Sequence, residues 1–197
     1  MEELPFLYVQ LAPFEAWNQC TGNNFPELRR QQQMVEDSVS GVWMASIMDV
    51  GSRYDIHPKK KKPVGERLAL LALGKVYGCD LDCQSPRVEK VTREGDKIMV
   101  AFSHAEGGLY SEGEVDSLFG VMQGGRRLKV SARVQGNTVE LAAAGLQEAK
   151  PAELTFAHLP YAEVKLYNRA GLPARPCAPI RITENGIKPE ISQSYDR

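Results

Sequence analysis

Histidine is scarce in this chain, with three in 197 residues, and surplus charge is scarcer still, the formal net charge being -1. Without many unopposed Lys and Arg there is no electrostatic basis for gripping phosphates, so nucleic acid is not an expected partner. The one basic run, Lys59 to Lys62, is too short to change that. Long apolar runs are missing too. No stretch approaches the roughly 20 apolar residues of a membrane span, and the opening "MEELPFLYVQLAPF" is acidic where a signal peptide would be basic, so no membrane partner is expected. Cysteine is limited to Cys20, Cys79, Cys83 and Cys177, and a chain of this length can bury a core without disulfide staples. Cys79 and Cys83 have a C-x3-C spacing, but no further Cys or His follows at metal-ligand spacing, so plain thiols and no metal site are expected. Internal repeats and low-complexity segments are absent.

Two periodicities divide what is present. From residue 5 to residue 80, short apolar runs alternate with helical segments. "FLYVQLA" (6–12) and "GVWMASIMDVG" (41–51) read as buried strands, being short and continuously apolar. "NNFPELRRQQQMVEDSVS" (23–40) opens with an Asn cap signal and an early proline, and it sets Leu28, Val35 and Val39 at helical intervals. A second helix opens at Pro63, lines one face with Val64, Leu68, Leu71, Ala72 and Val76, and ends at Gly78. Strand, helix, strand, loop, helix is the order of parallel α/β folds. After Cys83 the pattern becomes β throughout: Gly95-Asp96 and Gly136-Asn137 are hairpin signals, and "AELTFAH" and "AEVKLYN" continue the strands. The reading is therefore α/β plus all-β, with an α/β part over 1–82, an antiparallel β domain over 83–182 and a loosely ordered tail over 183–197.

One histidine stands out. In open α/β sheets ligands gather at the carboxyl ends of the strands, and the loop 49–58 leaves the carboxyl end of the second strand carrying Asp49, Asp55 and His57. Pro58 holds His57 in extended backbone. A carboxylate beside an imidazole fixes its tautomer and stabilises the imidazolium that forms when it accepts a proton, which is the base half of a hydrolase triad. An Asp-x-His spacing also arises by chance on surface loops, so spacing alone leaves both readings open.

"DVGSRYDIHPKKKKPVGERLALLALGKVYG" resembles the segment around the catalytic histidine of sialate O-acetylesterases, in the SGNH hydrolase superfamily. "LPFLYVQLAPF" is similar to that family's late core strand, "NNFPELRRQQQ" to the helix after it, and "LPYAEVKLYNRAGLPARPCAPIRI" to the close of its C-terminal β domain. The resemblance implies the C-terminal part of an SGNH-type, flavodoxin-like parallel α/β domain followed by a small antiparallel β domain. It also implies Ser-His-Asp chemistry on acetyl esters of sialic acids, with no cofactor, in full-length relatives that are periplasmic, secreted or lysosomal. By this resemblance His57 is the base and Asp55 the orienting acid. The superfamily usually has its acid three residues before the histidine, where Tyr54 stands here, and that keeps Asp49 as a competitor. Arg67 and Lys61 match the same motif, and helix packing or capping explains them equally well.

Such an enzyme also needs a nucleophile on a strand-to-helix turn and donors for the oxyanion. No serine lies in a Gly-x-Ser-type turn: Ser38, Ser40 and Ser46 fall in or beside the second helix-strand unit, and Ser52 is on the histidine loop itself. "TGNN" (21–24) is the one look-alike of the oxyanion segment, at a place where helix caps are common. No cysteine occupies a comparable turn. The expectation is a C-terminal portion that is inactive alone, with an N-terminal half carrying the serine as its partner and an O-acetylated sialic acid or related acetylated glycan as substrate, acetylated xylan being the alternative. The competing class is a non-catalytic, glycan-binding or accessory β module. Against glycan binding, Phe156, Tyr161 and Tyr167 occupy strand-like positions where core packing is expected.

Overall fold

The computed structural model describes residues 4–148 and 150–184. The first apolar run forms β1 (Phe6–Val9), and a small hairpin of β2 (Ala16–Trp17) and β3 (Cys20–Thr21) leads into α1 (Phe25–Ser38). β4 (Val42–Ala45) then lies parallel to β1, with Phe6 against Val42 and Val9 against Ala45. After a long loop comes α2 (Lys62–Leu71), with a proline in its first turn, and it runs on into a π-helical turn over Ala72–Val76. Gly74 sits in that turn because a Cβ there would lie 2.5 Å from Sγ of Cys83, the thiol against which the helix packs. Among the described residues no helix is long and apolar enough to cross a membrane.

α1 does not bury the face its apolar spacing points to. Leu28, Val35 and Val39 are 43%, 46% and 50% exposed, whereas Pro26 and Arg29 are buried. The inward stripe consists of long polar side chains that satisfy backbone groups. Arg29 donates to the carbonyls of Leu159 (3.1 Å) and Pro160 (2.7 Å), Gln33 donates to Pro176 (3.0 Å), and Glu36 accepts the N–H of Met44 (2.9 Å). An inward face of this kind carries no apolar period for the eye to find. Asn24 occupies the cap position, but its side chain closes no capping bond. On the second helical segment Leu71 is buried as its spacing predicts, while Val76 is 40% exposed.

The second half is antiparallel. Its strands are β5 (Arg87–Glu94), β6 (Lys97–Ser103), β7 (Leu109–Ser111), β8 (Phe119–Gln123), β9 (Arg126–Leu128), β10 (Val130–Gln135), β11 (Thr138–Ala143), β12 (Ala152–Phe156), β13 (Leu166–Asn168) and β14 (Cys177–Ile182). Two four-stranded sheets result, in the orders β10-β11-β6-β5 and β14-β12-β8-β9, beside a β13-β7 pair. Gly95 and Gly136 head their two-residue turns at φ 63° and 61°, which the spacing predicts and which a side chain would resist. Alternate residues of each sheet meet in one core: Val100, Leu141 and Val91 from the first, Val121, Leu154 and Phe156 from the second, all fully buried. The Phe156 ring packs on Phe102 at 5.5 Å and Phe119 at 5.0 Å. A bridge between Thr92 and Thr183 ties the sheets along one edge, so Thr183 is paired; the remainder of the expected tail, 185–197, lies outside the described residues.

The two halves are bolted together. Met48, beyond β4, belongs to the β core, and Val164 N–H donates to its carbonyl at 3.1 Å. Arg175, 1% exposed, reaches from the β half to pair with Glu36 of α1 and donates to the Met44 carbonyl at 3.0 Å.

Candidate functional site

β1 and β4 both end at buried polar residues, and the chain leaving β4 carries the three sequence-predicted site residues on one loop. At the carboxyl edge of the pair, Ser46 Oγ donates to Gln10 Oε1 at 3.1 Å, and both residues are buried. That placement withdraws Ser46 from solvent. The loop then splits its two aspartates between different tasks.

Asp49 faces α2. Its oxygens each accept a 2.7 Å bond from Arg67, whose Nη1 also reaches the Ser46 carbonyl at 3.2 Å. With side chains only 10% and 9% exposed, this is a nearly buried bidentate pair that fixes the loop's root to the helix. Asp49 is thus engaged by Arg67, while the carboxylate beside His57 is that of Asp55. Asp55 Oδ1 accepts the backbone N–H of His57 at 2.9 Å and lies 3.4 Å from its Nδ1. An aspartate that accepts the N–H two residues on forms an Asx turn, so one carboxylate both shapes the loop and faces the ring. The 3.4 Å separation is longer than a normal hydrogen bond and within reach of one after a small ring rotation. The N–H donated by His57 is the main influence on Asp55, holding its carboxyl below the usual aspartate range, and the imidazole and Lys59 add to it.

The imidazole itself is 73% exposed on its side chain, and an indole lies beside it. Trp17, on the β2–β3 hairpin, meets His57 edge to face with ring centres 5.6 Å apart and planes at 87°. The hairpin is sewn to the loop. Glu15 and Ala16 N–H both donate to the Arg53 carbonyl, at 3.0 and 3.2 Å; the Arg53 side chain pairs with Glu15, and its guanidinium sits 4.6 Å above the Tyr161 ring. Tyr161 lies outside any strand and is half-exposed, unlike Phe156 and Tyr167, which are buried. Trp17 has no periodic signature, and a lone tryptophan between Pro13 and Gly22 gives sequence reasoning nothing to hold.

The other candidates lie elsewhere. His104 and His158 are half-buried, and desolvation lowers the pKa of each; among the described residues neither makes an ion pair with a carboxylate. All four cysteines are free thiols, burial pushes Cys177 up to about 12, and the described residues contain no cluster of three or more His, Cys, Asp or Glu placed to hold a metal. A recess of about 530 Å³ opens at the amino end of β4, lined by Glu36, Trp43 and Arg87 among others, away from the edge that carries His57.

No protein-family model and no curated protein matches the chain. Among solved structures it is similar to a carbohydrate acetylesterase from Xanthomonas citri, with 29% identity and a TM-score of 0.74 over 90% of this chain. The match covers 40% of that acetylesterase. A mostly β architecture with few helices is thus shared with part of a carbohydrate esterase.

Proposed function

We propose that this chain is the base-carrying, C-terminal portion of a carbohydrate O-acetylesterase of SGNH type, in which β1 and β4 are the last strands of the catalytic sheet. One observation carries the reading: nine-tenths of the chain shares a fold with part of a carbohydrate acetylesterase, and within that fold a solvent-facing imidazole stands beside a carboxylate at the carboxyl edge of the parallel pair. In the proposed reaction, the Nε2 of His57 takes the proton of an attacking serine hydroxyl and later returns it to the departing sugar oxygen. Asp55, facing Nδ1, stabilises the imidazolium in between. Asp49 and Arg67 hold the root of the loop. On this reading the serine and the oxyanion donors come from residues outside this chain, because no serine here, Ser52 included, lies in a Gly-x-Ser-type turn and Ser46 is buried against Gln10. O-acetylated sialic acid is the preferred substrate, with acetylated xylan the alternative.

Acetate release tests this. The chain by itself should produce none from an O-acetylated sialic acid, acetylated xylan or an aryl acetate, because a base without a nucleophile contributes only about 10²- to 10⁴-fold, far short of a complete site. Turnover by the isolated chain that is lost on His57→Ala would place the nucleophile within it and refute the division of labour.

A further inference from the structure

A sugar ester bound at His57 needs something to hold its ring, and the described structure offers a rigid candidate. Resting on the reading of His57 as base, we infer that Trp17 is the sugar-binding platform of this site: its exposed indole stacks on the apolar C–H face of a pyranose ring and so sets an acetyl ester on the ring's rim beside the imidazole. The indole is 43% exposed and perpendicular to the imidazole at 5.6 Å, so a ring lying on it is held about one ring's width from the base.

The platform is preorganised. Two backbone bonds from Glu15 and Ala16 to the Arg53 carbonyl lock the hairpin to the histidine loop, and Gly22 N–H closes the hairpin onto the Glu15 carbonyl at 2.7 Å. Gly22 is forced at that point, since a Cβ would lie 2.0 Å from the Phe14 carbonyl oxygen. The Arg53 side chain is itself clamped between Glu15 and the Tyr161 ring. An aromatic side chain with only two rotatable bonds, fixed this way, loses little entropy when a ligand lands on it. Without side-chain charges of its own, the indole recognises the sugar ring and leaves the acyl group to the base.

The intact chain tests this without turnover. It contains two tryptophans, and Trp43→Phe leaves Trp17 as the sole reporter. Titration with the methyl glycoside of an O-acetylated sialic acid, and with an O-acetylated methyl xyloside, should give a saturable change in Trp17 emission, whereas ethyl acetate at the same concentrations should not. In saturation-transfer NMR the sugar ring protons should receive saturation from the wild-type chain. Trp17→Ala should weaken binding by at least about tenfold, and Trp17→Tyr, which restores a stacking ring, should recover most of it. Ring protons that receive no saturation, or equal affinity for Trp17→Ala and wild type, would overturn the inference. The chain alone is expected to release no acetate, so a loss of sugar binding on Trp17→Ala bears on the platform, whereas the reading of His57 as base stands or falls on acetate release.

Discussion

Asp49 and Asp55 lie six positions apart on one loop, and their surroundings make them different instruments. Asp49→Asn would leave the Arg67 guanidinium nearly buried without its carboxylate, so the expected outcome is a loss of about 3 kcal/mol in a urea titration. Asp55→Asn, with a half-buried side chain that shapes only its own turn, should leave the urea midpoint nearly unchanged while removing the carboxylate that faces Nδ1. Reversal of these two effects on the urea midpoint would exchange the assigned roles. His104 and His158 supply a separate, pH-dependent term. Burial depresses the folded pKa of both, so below the unfolded value of about 6.5 the unfolded chain binds protons that the folded chain resists, and stability falls as the pH is lowered further. Melting curves from pH 7.5 to 5 should show that decline, and His104→Gln with His158→Gln should flatten it. At this scale the sequence exposes His57 through its acidic neighbour and the proline after it. Which aspartate lies beside the ring is not legible until Arg67 is seen to occupy Asp49, and Trp17 is invisible because its partner lies on the loop across from the hairpin.

Among the elements, hairpins were the most legible and α1 the least. A glycine at the head of a two-residue turn states its conformation directly, whereas a helix anchored by Arg29, Gln33 and Glu36 to backbone groups of other elements hides its inward face behind polar letters. The apolar stripe of Leu28, Val35 and Val39 pointed to the wrong side for that reason. The β2–β3 hairpin is the element on which the proposed sugar platform depends. Gly22→Ala must displace the hairpin from Phe14, so its expected effect is a shift in Trp17 emission toward that of a solvated indole, with far-UV circular dichroism unchanged because the β core lies elsewhere. A Gly22→Ala chain with wild-type emission would show that the hairpin does not set the tryptophan.

For the whole molecule, the change from helical to β periodicity near residue 83 marks a change of architecture, while contacts that no local pattern encodes cross it: Met48 in the β core, Arg29 on the 159–160 carbonyls, Arg175 on Glu36. Both parts are therefore expected to unfold in one transition, with tryptophan fluorescence and far-UV circular dichroism coincident; two separated midpoints would refute this. Phe156→Ala, at the centre of the shared core, should lower stability by about 3–5 kcal/mol and move both signals together. The central claim, that His57 is the base of an acetylesterase, is tested most directly by exchanging this chain for the matching 40% of the Xanthomonas citri carbohydrate acetylesterase and measuring acetate release from acetylated sugar. The account predicts turnover by the chimera and a fall of about 10³-fold or more on His57→Ala; a folded chimera whose turnover survives His57→Ala would contradict it.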